Sequence, residues 1–191
     1  MAEITLTSNS ICMPHRSPWG AFPERSMGVS TGVSSATIHI GRLVTLDWSG
    51  STTVGRVKAS TADNFFFGVG IANSLMSGST AVTGVRGAAS EVTVWEANPM
   101  VEFRAFTKGA ALASSHVGLR KTLHWDSTLN ISYVDLTAST ASDWRVIVTD
   151  LIDNENDTGG RVAFRFVSHL TENNGSSVAV TSTSPVLAFF G

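Results

Sequence analysis

Residues 161–170 read RVAFRFVSHL, with Val162, Phe164, Phe166 and Leu170 on one side of the chain and Arg161, Arg165 and His169 on the other. That alternation has the two-residue period of a strand with one buried face, and a 3.6-residue helix cannot sort the same side chains. The grammar extends outward from this segment. Upstream, the turn-rich DNENDTGG (153–160) separates it from a Val/Ile-rich run over 145–151, and downstream Asn174-Gly175 marks a tight turn before a Ser/Thr-rich tail, VAVTSTSPVLAFFG (178–191). Leu129, Ile131 and Tyr133 alternate with Asn130 and Ser132. Val92 and Val94 share a face in ASEVTVWEA (89–97), as do Val101, Phe103 and Ala105 in PMVEFRAFTKG (99–109), and Asn98-Pro99 between these two predicts a hairpin turn.

Nearer the N-terminus, Ile38 and Ile40 share one face, and Val44, Leu46 and Trp48 share another after Gly41 resets the pattern. Two further strands are expected over 54–59 and 65–72, the second interrupted by Gly68 and Gly70 as at a barrel corner or bulge. GAALASSH (109–116) is the one stretch compatible with a short helix. Elsewhere no window of 11 to 18 residues sustains a helical period.

Composition agrees with this reading. The chain has 191 residues, enough for one ordinary domain, and 42% of them are hydrophobic against only 15% charged. Twenty Val, twenty-one Thr and ten Phe favour strands, while twenty-five Ser carry much of the remaining polarity. The expectation is an all-β fold, an antiparallel β-barrel or β-sandwich over 38–170. It would be preceded by an extended N-terminal arm (1–37) and followed by a C-terminal strand or tail (171–191). The arm is inferred from MPHRSPWGAFPERSMG (13–28), where Pro14, Pro18 and Pro23 break any period and bar an interior strand.

Several function classes are disfavoured. Thirteen basic against fifteen acidic residues give a net charge of -2, which supplies no field to attract nucleic acid or an anionic bilayer. No run reaches the ~18 apolar residues of a membrane span, and MAEITLTSNS lacks the basic-then-apolar pattern of an export signal. Cys12 is the only cysteine, so no intrachain disulfide forms, and a single thiol fits synthesis in a reducing cytoplasm.

The motifs that suggest chemistry each meet a plainer account. GVSTG (28–32) matches the G-x-S-x-G of a hydrolase elbow, but that mechanism needs Ser30 between a strand and a helix, and neither flank qualifies. Asp153, Glu155 and Asp157 alternate in the manner of calcium ligands, yet Thr158 and Phe164 stand where an EF-hand loop requires Gly and Glu; a calcium turn of another kind stays open beside the plainer solvated loop. Five isolated histidines show no metal-ligand spacing. Glu96 and Glu102 flank a turn, as a glycosidase pair would; Glu102 and Arg104 on one strand face are expected to pair with each other instead. No catalytic residue, cofactor or metal is therefore expected.

The segment GRLVTLDWSGSTTVGRVKASTADNFFFGVGIA (41–72) resembles the β-barrel unit of tailed-bacteriophage head decoration, or cement, proteins. VWEANPMVEFRAFTKG (94–109) and LHWDSTLNISYVDLTASTASDWRVIV (123–148) are similar to the continuation found in decoration proteins of marine and cyanobacterial phages. The resemblance implies a non-enzymatic all-β protein, usually a homotrimer, bound to the major capsid protein on the outer surface of the virion. The arm and tail lie outside it. Independently, irregular segments carry large apolar residues that need a partner surface. Ile4, Leu6, Ile11, Met13, Trp19 and Phe22 are thus the candidate capsid or subunit contacts. The rival reading is a carbohydrate- or receptor-binding β-module of a phage particle, with Trp125 or Trp144 exposed on loops. A glycan-cleaving barrel enzyme using Glu96 is the third.

Overall fold

A computed structural model describes residues 3–6, 11–29, 38–47, 56–59, 68–72, 91–137 and 146–166. Eleven strands run through these residues: β1 (Met13–Arg16), β2 (Glu24–Gly28), β3 (Leu43–Asp47), β4 (Arg56–Ala59), β5 (Gly68–Ala72), β6 (Glu91–Glu96), β7 (Glu102–Lys108), β8 (Arg120–Asp126), β9 (Ile131–Asp135), β10 (Val146–Leu151) and β11 (Arg161–Phe166). The all-β expectation holds. Within 109–116, where a short helix was expected, only the single 3-10 turn Ser114–His116 forms.

The strands make two sheets. One has the order β1-β7-β11-β10-β8-β9 and closes on itself because β9 also pairs, in parallel, with β7. Strands β7, β11, β10, β8 and β9 thereby form a closed five-stranded barrel. One edge of β7 is shared, with β1 along Glu102–Arg104 and β9 along Phe106–Lys108. The second sheet has the order β2-β6-β5-β3-β4, and an isolated bridge from Val29 to Val57 brings its first and last strands together.

Alternation explains how the core assembles. Phe103, Phe164, Phe166, Val146, Val148, Val162, Leu123 and Val134 fill the barrel side, joined by Leu43 and Ile71 from the second sheet. The three phenylalanine rings contact one another at centroid distances of 6.0, 5.2 and 5.6 Å, one pair stacked and two edge-on, as aromatic quadrupoles prefer. The opposite face of the second sheet forms a separate cluster of Val29, Ile38, Val44, Val57, Ala72, Val92 and Val94. Neighbours such as Leu43 and Val44, or Ile71 and Ala72, divide between the clusters because successive side chains point to opposite faces. Gly68 and Gly70 of β5 sit opposite a register shift between Val44 and Thr45, as at a bulge, though β5 belongs to the second sheet and not to the closed barrel. Gly70 has no room for a side chain, since a Cβ there would lie 1.8 Å from the Trp95 carbonyl oxygen.

Four expectations need correction. First, the stretch taken as an unpaired arm over 1–37 contributes β1 and β2, and Cys12 between its loops is wholly buried in the barrel cluster. Both strands are sheet edges, where Pro14 and its missing N–H are tolerated, so proline excluded only an interior place. Second, β6 and β7 do not form a hairpin. The turn at Asn98 exists, with its Oδ1 accepting the Met100 N–H, but it delivers β7 to the other sheet. Third, Ile131 in β9 is buried as its spacing implies, but so are Ser132, Val134 and Leu136, while Tyr133 is half-buried on the outer wall, where its ring meets His124 and Lys108. Fourth, Ile38 is buried but Ile40, at a turn, is exposed. Leu170, His169, Trp48 and the tail 171–191 lie outside the described residues.

Candidate functional site

The six expected contact residues separate into two groups. Ile4, Leu6, Ile11 and Met13 are half-buried against the protein itself. Ile4 donates its N–H to the Thr158 carbonyl at 2.9 Å, Glu3 bridges to Thr158, and Arg104 Nη2 lies 2.9 Å from Met13 Sδ. Trp19 and Phe22 point outward, exposed to 60% and 36%. Both belong to the connection between β1 and β2, where a tight turn is held by Gly20 N–H donating to the Ser17 carbonyl and Trp19 N–H to Ser17 Oγ, each at 3.3 Å. Trp19 is thus displayed by a short turn anchored at both ends in sheet.

The carboxylates proposed as a glycosidase pair are each engaged separately. Glu96 Oε1 accepts from Arg25 Nε at 2.8 Å. Glu102 is nearly buried and meets two arginines, Arg165 Nη2 at 3.1 Å and Arg16 Nη1 at 3.6 Å. The expected Glu102–Arg104 pair is therefore replaced by cross-strand pairs. Arg16 is the register partner of Glu102, and residues directly opposite on neighbouring strands approach more closely than i and i+2 on one strand.

The densest polar group sits on the outer wall of β7, β8 and β9, a cluster that sequence spacing did not bring together. Lys108 donates to Asp126 and lies over the Tyr133 ring at 4.8 Å, while His124 stacks on Tyr133 at 5.7 Å and approaches Asp135 to 3.7 Å. The hydrogen bond from Lys108, with others from the Thr128 and Leu129 amides, holds the Asp126 carboxyl below its ordinary range. Burial raises the Tyr133 hydroxyl, opposed by the charge of Lys108. Cross-strand register sets the frame of this assembly, pairing His124 with Tyr133 and Lys108 with Asp135, and diagonal contacts complete it.

Trp125 is not on a loop. It lies in β8, half-buried, with the Arg42 guanidinium 4.4 Å above its ring and the His39 ring at 5.8 Å, so a ring face that a sugar would stack on is occupied. Trp144 and Ser30 fall outside the described residues.

The acidic loop after β10 is likewise engaged internally. Asp153 accepts from the Arg161 backbone N–H, Nε and Nη2 at 2.8, 3.0 and 2.6 Å, and these bonds hold its carboxyl below the ordinary range. Glu155 accepts the Ser114 N–H at the start of the 3-10 turn, and Asp157 is buried with its carbonyl accepting from Leu112. Among the described residues, no three His, Cys, Asp or Glu side chains gather as metal ligands. The Cys12 thiol, fully buried, is pushed far up by desolvation and lacks the thiolate character a nucleophile needs. No protein-family model, curated protein or solved structure matches the chain.

Proposed function

We propose that the chain is a non-enzymatic decoration protein that binds the outer surface of an assembled phage head and stabilises it, as a homotrimer on the major capsid protein. The observation that carries this reading is Trp19, 60% exposed on a turn fixed between two edge strands. A large aromatic displayed on a short anchored turn loses little conformational entropy on docking and contributes area disproportionate to its size. The resemblance of 41–72, 94–109 and 123–148 to head decoration proteins supports the same partner. The pairing of Glu96 and Glu102 with separate arginines favours binding over glycoside cleavage.

The test adds purified chain to heads assembled in a strain lacking this gene. Cryo-electron microscopy should show new density at repeating positions on the outer shell, and heads should release their genome at a higher temperature. Heads that gain no density at saturating protein would refute the assignment. Native mass spectrometry that finds only monomer, free and eluted from heads, would refute the trimer.

A further inference from the structure

Two connections join the two sheets side by side. Residues 17–23 lead from β1 to β2, and residues 97–101 lead from β6 back to β7. They run antiparallel, because Arg16 is the register partner of Glu102 at one end and Glu24 that of Trp95 at the other, with Glu96 N–H donating to the Pro23 carbonyl at 2.9 Å. The first connection exposes Pro18, Trp19, Ala21 and Phe22, and the second exposes Pro99 and Met100, the last to 54%. The two connections thus bring exposed apolar residues far apart in sequence to one rim at the junction of the sheets, through the register of their ends.

The border of the rim is electrically quiet. Arg16 pairs with Glu102 and Asp150, Arg25 with Glu96, and Glu24 accepts the Trp95 indole N–H at 2.8 Å. Each of these charged groups already has a partner within the chain, so the complementary surface is one without strong charge. The size is also informative. With Trp19, Phe22 and Met100 exposed to 60%, 36% and 54%, roughly 200–400 Å² of large side-chain surface lies open, taking about 150–250 Å² for each whole side chain. A stable pair of copies needs about 800 Å² per partner, so the rim alone is too small to hold a dimer. Contacts of this size hold when several act together on a repeating surface.

We infer that this rim seats in an uncharged, apolar recess on the outer face of a head subunit, one rim per copy. The inference rests on the decoration reading and names the surface through which it operates. Attachment through such a rim varies little with salt, whereas ion pairing weakens as salt rises.

The experiment measures co-sedimentation with heads lacking this protein, at 50 and 500 mM NaCl as the order-of-magnitude extremes of screening. It compares the native chain with Trp19→Glu, Met100→Glu and Leu119→Glu, the last replacing an exposed apolar side chain on a different turn. Circular dichroism checks folding, which these exposed sites should not disturb. The expected result is at least a ~10-fold loss of affinity for both rim variants, less than about a twofold change for Leu119→Glu, and less than about a twofold salt effect on the native chain. Native chain that binds while both rim variants bind equally well overturns the rim and leaves the decoration reading standing. Native chain that does not bind overturns both. Equal losses in all three variants, or a steep salt dependence, overturn the rim's specificity. Sedimentation equilibrium in which the rim variants alone fall from oligomer to monomer assigns the rim to a second copy and overturns the inference.

Discussion

Replacing Gly70 by alanine tests the packing of the second sheet at its tightest point. The added Cβ would lie 1.8 Å from the Trp95 carbonyl oxygen and 2.7 Å from Val94 Cγ1. Backbone, not a flexible side chain, meets the methyl group first. To reach an ordinary carbon–oxygen contact of ~3.3 Å, β5 and β6 must separate locally by about 1.5 Å. That movement strains the ladder in which Gly70 faces Glu96 and Ile71 faces Trp95. Overpacking of this kind costs about 1–3 kcal/mol, and one or two weakened ladder bonds add about 1 kcal/mol each, for a total of roughly 2–5 kcal/mol. In a chain of this size the melting temperature should fall by roughly 4–20 °C. Gly20→Ala is the internal comparison, because nothing lies within 4 Å of its Cβ and only its φ of +73° resists, a cost of about 1–2 kcal/mol. Urea unfolding followed by tryptophan fluorescence measures both. A loss for Gly70→Ala no greater than for Gly20→Ala would show that the sheet yields where this reasoning holds it rigid.

Phe164→Ala removes the shared partner of Phe103 and Phe166 and should cost about 3–5 kcal/mol, read as a lower urea midpoint. Burial lowers the affinity of His15, His39 and His116 for a proton, seconded by Arg16, Arg42 and Lys121 respectively. The unfolded chain then binds more protons, so stability should decline as pH falls through the ordinary histidine range near 6.5, measured by urea midpoints at pH 7.5 and 5.5. The lowered carboxyl of Asp153 acts at the acid end, its contribution present above the ordinary carboxyl range near 4 and lost as pH drops through its depressed folded value. Asp153→Asn should shrink that acid-limb loss. Millimolar calcium should shift the melting temperature by less than about 1 °C, since the loop carboxylates already hold Arg161 and Ser114; a rise of several degrees would overturn that view.

Legibility of the fold followed the strength of alternation. In β11 the inward set Val162, Phe164 and Phe166 is buried as the spacing implied. In β9, Ser132 is as deeply buried as Ile131 and Val134, and no hydropathy pattern marks a serine as inward. Strand partners were harder to read, because a turn signal such as Asn98-Pro99 reports a change of direction and not the sheet that receives the chain. For the same reason the candidate site was only half visible. Trp19 and Phe22 stood out as large apolar residues in an irregular stretch, whereas Met100 joins them only through the register of β1 with β7 and β2 with β6. Ile4 and Met13 looked similar in sequence yet lie against strands and loops distant in the chain.

The way β7 is held also sets a timetable for synthesis. One edge takes β1 from the start of the chain and β9 from the middle, and the other takes β11, which ends at Phe166. Translation at about 5–20 residues per second separates the emergence of Met13 from that of Phe166 by roughly 8–30 s. Throughout that interval the barrel cannot close, because its ring lacks a member. Contacts as distant as Met13 with Arg104, 91 residues apart, place the chain among slow, non-local folders. Nascent β7, with Phe103 uncovered, therefore waits for its ladder partner until β11 has been made, and stays open to wrong partners for that time.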